Sequence, residues 1–186
     1  MTNCIISENT ATYDGGGLTN LATSDSILTN CVFYMNTAGS EGGAIYNYHP
    51  SSIDMTNCTI TENTADVGGG LYTSNTATAN FTNAIVWGNT GTTSNDNLYD
   101  AGGLITANYS CFASTISGTG NLNDDPDFVD ASSGDLTLDI TGPSPCIDSG
   151  TGISGTYPNV PSDDLSGNSR PFGLGVDMGA YEYVAL

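Results

Sequence analysis

The sequence has no lysine, and Arg170 and His49 are its only arginine and histidine. Against 20 acidic residues, this leaves a formal net charge of -19. Nucleic-acid binding requires Lys and Arg along the phosphates, and anionic membrane surfaces attract basic segments, so both partner classes are excluded. The missing lysine also excludes a P-loop and Schiff-base chemistry.

Long apolar runs are missing as well. No stretch approaches the ~20 residues of a membrane-spanning helix, so we expect no membrane insertion, and the N-terminus lacks the basic-then-apolar layout of a signal peptide. Charged residues make up only 11% of the chain, so Thr, Asn and Ser must form its solvent face. With few long charged helix formers, the composition predicts a β-rich protein.

Two motifs repeat along the first half of the chain. One places a small residue at intervals of 27, 27 and 26 residues, at Cys4, Cys31, Cys58 and Ala84. The other is glycine-rich and recurs between the copies of the first, at 15–18, 42–45 and 68–71. Glycine pairs and Asn-Thr steps separate short β-branched stretches, which is typical of strands of a few residues.

A period near 27 residues predicts one coil of a parallel β-helix with three short strands. Residues 1–92 would form regular coils, and residues 93–186 would add irregular coils and a loop-rich C-terminal cap within one continuous domain. The cap would cover the open solenoid end with an apolar set made up of Phe128, Leu136, Leu138, Ile147, Phe172, Val176, Met178 and Tyr181.

Alternation along the strands predicts which side chains face inward. The inward pairs are Cys4/Ile6, Cys31/Phe33, Cys58/Ile60 and Ala84/Val86, while Ile5, Val32, Thr59 and Ile85 face the other side. In the glycine motif Leu18, Ile45 and Leu71 face in, and Thr19, Tyr46 and Tyr72 face out. The cysteine column is interpreted as a stack of buried thiols, with disulfides between coils as the alternative.

Asparagine recurs at two positions of each repeat. One column is Asn3, Asn30, Asn57 and Asn83, and the other is Asn9, Asn36, Asn63 and Asn89. Asn tolerates left-handed backbone and both donates and accepts hydrogen bonds. Both columns are therefore predicted to be structural ladders between coils.

The repeat motifs and the C-terminal motifs resemble those of a known family. GGAI (42–45) with Phe33-x-x-Asn36 resembles the repeats of polymorphic outer-membrane proteins, although Ile6, Ile60 and Val86 replace Phe in the other copies. The whole chain is similar to bacterial secreted right-handed parallel β-helix proteins of the pectin-lyase-like superfamily. Its C-terminal half carries tail motifs found in such surface proteins, namely NLNDDPDFVD (121–130), SPCIDSG (144–150) and VDMGAYEY (176–183).

The resemblance implies a right-handed β-helix and an exported location, extracellular or on the cell surface. It also implies a disulfide between Cys111 and Cys146, because the similar tails often carry this pair and oxidising compartments permit the bond. It implies no activity, because this fold hosts many functions.

Enzyme chemistry finds little support among the residues. Lyases of the superfamily require a strong base and a cation, but Arg170 is the sole basic candidate, and we expect it to pair with Asp164 or Asp177. Asp14, Glu41 and Asp66 occupy equivalent turns and are predicted to form a ladder instead of an acid/base pair. We therefore predict a non-catalytic structural module, such as a stalk, an adhesin-type segment or a filament subunit.

Carbohydrate binding is the alternative function. Outward aromatic rings stack on sugars, and the candidates are Tyr34, Tyr46, Tyr48, Tyr72 and Trp87. A degenerate polysaccharide-active enzyme belongs to the same alternative. Ice binding would require more than the one threonine column, which contains Thr2, Thr29, Thr56 and Thr82.

No cofactor is required by this interpretation, although calcium is a candidate ligand. Oxygen-rich clusters suit Ca²⁺, and four carboxylates crowd one loop, at Asp124, Asp125, Asp127 and Asp130.

The first repeat predicts self-association. Met1 aligns with the start of the later repeats, so strand Met1–Ile6 would leave one row of backbone groups unpaired. Such an edge is a template for another chain and would give a dimer or a filament. Because the acidic charge opposes association, added salt should strengthen it.

Overall fold

The computed structural model describes residues 1–94, 97–152 and 160–184. Parallel strands, numbered along the chain, stack into four sheets. Sheet 1 contains β1 (Ile5–Ser7), β5 (Val32–Tyr34), β9 (Thr59–Thr61), β13 (Ile85–Trp87) and β17 (Cys111–Phe112). Sheet 2 contains β2 (Thr10–Ala11), β6 (Thr37–Ala38), β10 (Thr64–Val67) and β14 (Thr90–Ser94).

The other two sheets complete each coil. Sheet 3 contains β3 (Leu18–Asn20), β7 (Ile45–Asn47), β11 (Leu71–Ser74) and β15 (Leu98–Ala101). Sheet 4 contains β4 (Asp25–Thr29), β8 (Ser52–Thr56), β12 (Thr78–Thr82) and β16 (Leu104–Asn108). The predicted all-β parallel solenoid is confirmed, since each strand pairs with the equivalent strand one coil away.

Each coil has four strands where three were predicted. The additional division lies between sheet 4 and sheet 1, where one asparagine per coil adopts left-handed backbone with φ between 49° and 54°. These residues are Asn3, Asn30, Asn57 and Asn83. A left-handed residue bends the chain, so one long extended segment becomes two strands in different sheets.

The predicted inward columns form the core. Strand pairing sets Ile6 opposite Phe33 and Ile60 opposite Val86, and the core also contains the buried thiols of Cys31 and Cys58. In the first coil, Cys4, Ile6 and Leu18 are only partly buried and pack against this core. All three thiols of the column are free, so no disulfide joins the coils there.

One asparagine column forms a ladder inside the solenoid. Asn36 Nδ2 donates to Asn63 Oδ1 at 2.9 Å, and Asn63 Nδ2 donates to Asn89 Oδ1 at 2.8 Å. The ladder begins at Asn9 and continues to Asn97, which lies outside the predicted column. Each amide also binds backbone carbonyls, so the column satisfies polar groups at successive turns.

The C-terminal half lies mainly along the side of the solenoid. It contains a hairpin of β18 (Phe128–Asp130), a 3-10 helix (Ala131–Ser133) and β19 (Asp135–Leu138), and its later part carries no assigned strand in the described residues. Residues 128–152 and 160–184, here called the belt, cover the outer face of sheet 1.

The irregular C-terminal cap lies mostly beside the solenoid, and only a short part of it reaches the end of the stack. Leu122 pairs with Cys111 beside the last coil, and Ile116 packs against the core, so only this shorter segment lies at the end of the stack. The belt lies sideways because Val32 and Ile85, outward on sheet 1, present an apolar surface to it. Leu136, Leu138, Val176 and Met178 are buried as expected, whereas Phe172 is exposed.

Candidate functional site

Four tyrosine rings form a continuous stack on the outer face of sheet 3. Tyr46, Tyr72 and Tyr99 lie opposite one another because β7, β11 and β15 pair in register. The ring centroids of Tyr46 and Tyr72 are 5.4 Å apart, and those of Tyr72 and Tyr99 are 5.3 Å apart. Tyr48, two residues after Tyr46, stacks on it at 5.6 Å.

Glu41 lies beside this stack at the glycine-rich turn. Interactions with Tyr72 and Tyr46 favour the charged form of its carboxylate. Burial and the nearby charge of Asp14 raise the pKa of Glu41, and the two hydroxyls oppose that shift. Burial and the Glu41 charge in turn raise the pKa of Tyr72 to about 12, so both central phenols are neutral at neutral pH.

The acidic ladder predicted at this turn is shorter than expected. Glu41 does accompany Asp14, whose carboxylate accepts the Glu41 backbone N–H at 3.2 Å. In the next coil, however, Val67 lies opposite Glu41, and Asp66 accepts the hydroxyl of Thr92 instead. Val67 follows Glu41 by 26 residues, so Asp66 lies one position before the column.

The tyrosine stack presents ring edges and hydroxyl groups to a ligand, and few open ring faces. Sugars stack on open aromatic faces, but the faces of Tyr46 are occupied by Tyr48 and Tyr72. Both central rings are only 9% exposed, while Tyr48 is 37% exposed and its hydroxyl accepts from Asn75. Mutual stacking thus uses most of the surface that a pyranose ring would contact.

The other two aromatic candidates, Tyr34 and Trp87, do not join this surface. They lie on the outer face of sheet 1, where the belt packs against both. The Tyr34 hydroxyl donates to the Ala131 carbonyl at 3.0 Å. Their prediction as sugar-stacking residues is therefore corrected, because the outward face of sheet 1 serves the chain's own C-terminal segment.

The left-handed asparagines hold the belt in place. Asn30 Nδ2 donates to the Asp163 carbonyl at 2.6 Å, and Asn57 Nδ2 donates to the carbonyls of Asp177 and Gly179 at 3.1 and 3.2 Å. Asn83 is bonded in both directions to Thr151, at 3.1 and 2.8 Å. A column predicted as a ladder between coils thus also binds a lateral segment, which the sequence pattern did not reveal.

Arg170 anchors the belt from within. Its side chain is fully buried and forms an ion pair with Glu182 at 2.7 Å. It also donates to the carbonyls of Asp177 and Gly179, the two groups that Asn57 binds. The expected ion pair is present with a different partner from Asp164 or Asp177, because Glu182 reaches the guanidinium. Burial lowers the pKa of Arg170, and the surrounding carboxylates oppose that shift.

Comparison with known proteins agrees with this architecture. A family model described as a right handed beta helix region matches residues 1–119. The chain belongs to this family. No curated protein and no solved structure matches it. In the described part of this β-helix, no helix is long and apolar enough to span a bilayer.

The two cysteines of the second half meet where the belt crosses the last coils of the β-helix. Cys111 and Cys146 share a buried cluster with Ile85 and Met178, and the interaction with Cys111, together with burial, raises the pKa of Cys146. Both are free thiols in the structure, so the bond that the resemblance implied is not formed there. The belt nevertheless brings both residues into the same cluster.

The candidate calcium ligands are dispersed by local turns. Asp125 accepts the N–H of Asp127, and Asp130 accepts the hydroxyl of Ser132 at 2.7 Å. Asp124 takes part through its carbonyl, which accepts from Cys111. Across residues 1–94, 97–152 and 160–184, no three His, Cys, Asp or Glu side chains are grouped as a metal site. Calcium binding stays a prediction.

Proposed function

We propose that the chain is a non-catalytic structural module in the extracellular space or on the cell surface, as a stalk, an adhesin-type segment or a filament subunit. The observation that carries this proposal is the use of the repeated polar side chains. The buried Asn36–Asn63–Asn89 ladder joins coil to coil, and Asn30, Asn57 and Asn83 hold the belt. These groups are engaged within the chain and stiffen it.

The position of Arg170 also supports a non-catalytic role. A polysaccharide lyase requires a base that reaches the substrate, but this guanidinium is paired with Glu182 beneath the belt. Incubation of the purified chain with pectic, alginate and chitin polysaccharides, followed by an assay of new reducing ends, tests the point. The proposal predicts no release above heat-denatured protein, and release that scales with native protein would overturn it.

Carbohydrate binding is the second candidate, favoured by a tyrosine stack that lies outside the belt and whose member Tyr48 is 37% exposed. The hydroxyls of these rings and the Glu41 carboxylate would then supply hydrogen bonds to sugar hydroxyls. Titration calorimetry with soluble oligosaccharides distinguishes the two functions. Binding that is lost in Tyr72→Ala and kept in Tyr13→Ala, a control outside the stack, would favour this candidate.

Self-association through the first coil belongs to the structural proposal. The strands β1 to β4 each lie at the edge of their sheet in this chain, and Ile5 is 60% exposed. An edge strand is a template for another strand, so we propose a second copy of the chain as the occupant. Light scattering at high protein concentration should show a mass that grows as salt rises to about 0.5 M, because salt screens the acidic repulsion. A constant monomeric mass would rule this out.

A further inference from the structure

The tyrosine stack has a chemical property that the structural role does not use. Tyr46 and Tyr72 come from neighbouring coils, lie opposite each other in β7 and β11, and have ring planes inclined by 29°. We propose that these two residues are an oxidative cross-linking site, where a peroxidase with hydrogen peroxide joins them into a dityrosine that staples one coil to the next. The site stands independently of the proposed function.

The geometry brings the reacting carbons within reach. Neighbouring parallel strands are about 4.8 Å apart, so the two side chains leave the sheet side by side. With centroids 5.4 Å apart, rotation about the side-chain torsions can bring an ortho carbon of one ring onto that of the other. No movement of the backbone is required, because register already fixes both Cα atoms.

An oxidant can enter the stack at its exposed member. Tyr48 is 37% exposed and stacks on Tyr46 with ring planes inclined by only 18°. A hole formed on Tyr48 can therefore pass to Tyr46 and then to Tyr72 by short steps between rings in contact. Direct access of the enzyme to the two buried rings is not needed.

Glu41 supplies the proton acceptor that phenol oxidation requires. A neutral phenol is much easier to oxidise when its proton can leave at the same time. The Glu41 carboxylate interacts with both Tyr72 and Tyr46, so a base lies beside the two phenols. Removal of the Glu41 charge should slow the reaction without removing either ring.

The reaction balances with hydrogen peroxide as the oxidant. Each phenol loses one electron and one proton and becomes a tyrosyl radical. The two radicals form a carbon–carbon bond between ortho positions, and the ring hydrogens at those positions move to the oxygens as the rings regain aromaticity. The two electrons and two protons reduce one peroxide to two molecules of water.

The test treats the purified full chain with a peroxidase and hydrogen peroxide at low protein concentration. An Asp-specific protease then cuts at Asp54 and Asp66, which separates Tyr46 from Tyr72. We expect monomeric protein with dityrosine fluorescence and a peptide pair that contains both tyrosines, lighter than the sum of its parts by two hydrogen atoms. Circular dichroism of each variant confirms that it folds.

Matched variants make the assignment specific. Tyr46→Phe and Tyr72→Phe should each lose the linked peptide, and Glu41→Gln should slow its formation. Tyr13→Phe should keep it, because Tyr13 is 75% exposed and lies outside the stack. Products joined only between molecules, hydroxylated tyrosine without linkage, a link that maps to another pair, or an undiminished yield in Tyr72→Phe would each overturn the proposal.

Discussion

Among single residues, Asn63 best shows how a coil is held to its neighbours. Its amide donates to the carbonyls of Phe33 and Thr61, and its oxygen accepts both the backbone and the side-chain N–H of Asn36. The side chain is fully buried, so water cannot replace these partners.

Asn63→Ala should therefore lower the free energy of unfolding by about 3 kcal/mol, since a buried polar group without a partner costs about 1–3 kcal/mol and several are created. Urea unfolding measures the change. Asn80→Ala is the control, because Asn80 bonds Asp54 on the exposed face of sheet 4, and it should cost well under half as much. Equal losses in the two variants would contradict the ladder's role.

Arg170 is the residue whose buried ion pair holds the belt together. Arg170→Met removes one member of a buried ion pair and leaves the Glu182 carboxylate without a counter-charge. The expected loss of stability is about 3–5 kcal/mol, the usual cost of breaking a buried pair. Arg170→Lys should lose less because it keeps the charge. A methionine variant as stable as the native chain would contradict the anchoring role.

Asp177 gives the belt a pH dependence. Burial raises its pKa from 3.8 to about 7, although the backbone N–H groups of Asp148 and Tyr183 oppose the shift. A raised acid pKa contributes stability below about pH 3.8 that is lost as pH rises through about 7. The melting temperature should fall as pH rises from about 4 to about 7, and Asp177→Asn should flatten that fall. An identical slope in both proteins would reject this assignment.

Among the structural elements, the belt and the last coils are where we expect a disulfide to form. Cys111 and Cys146 are free thiols in one buried cluster, so we expect a thiol–disulfide oxidant to join them. The bond would close a loop of roughly 35 residues and stabilise the protein by about 3–4 kcal/mol. Mass mapping without reduction checks the pairing, with Cys111→Ser as the control. Two free thiols in oxidised protein would refute the expectation.

The coils and the belt differ in how far the sequence predicts them. The coils were predictable because strand register repeats the small column of Cys31 and Cys58 and the asparagine ladder at each period. The position of the belt was not, because it is fixed by its own backbone carbonyls, such as those of Asp163 and Gly179, and every sequence has those groups. For the same reason the covered state of Tyr34 and Trp87 could not be predicted.

The tyrosine site could be predicted from the sequence in part only. The outward positions of Tyr46 and Tyr72 follow from alternation along the strands, and both were predicted. Tyr99 joins them only because β15 keeps register with β11 after the glycine motif has ended. The pairing of Glu41 with the tyrosine hydroxyls depends on how the glycine turn folds, which the spacing of residues does not specify.

For the whole molecule, the four sheets form a solenoid with the belt along its side. The repeated asparagine side chains hydrogen-bond to one another and to the belt. The belt covers the outer face of sheet 1 but not the tyrosine stack on sheet 3. The strands β1 to β4 each pair with a neighbouring strand on one side only.

A glycan array with the purified chain tests the proposed structural role most directly. Across plant, microbial and animal glycans, we expect signals no higher than those of Tyr72→Ala, which disrupts the tyrosine stack. A defined set of glycans bound by the native chain and lost in Tyr72→Ala, with Tyr13→Ala unaffected, would contradict it and establish a carbohydrate-binding module.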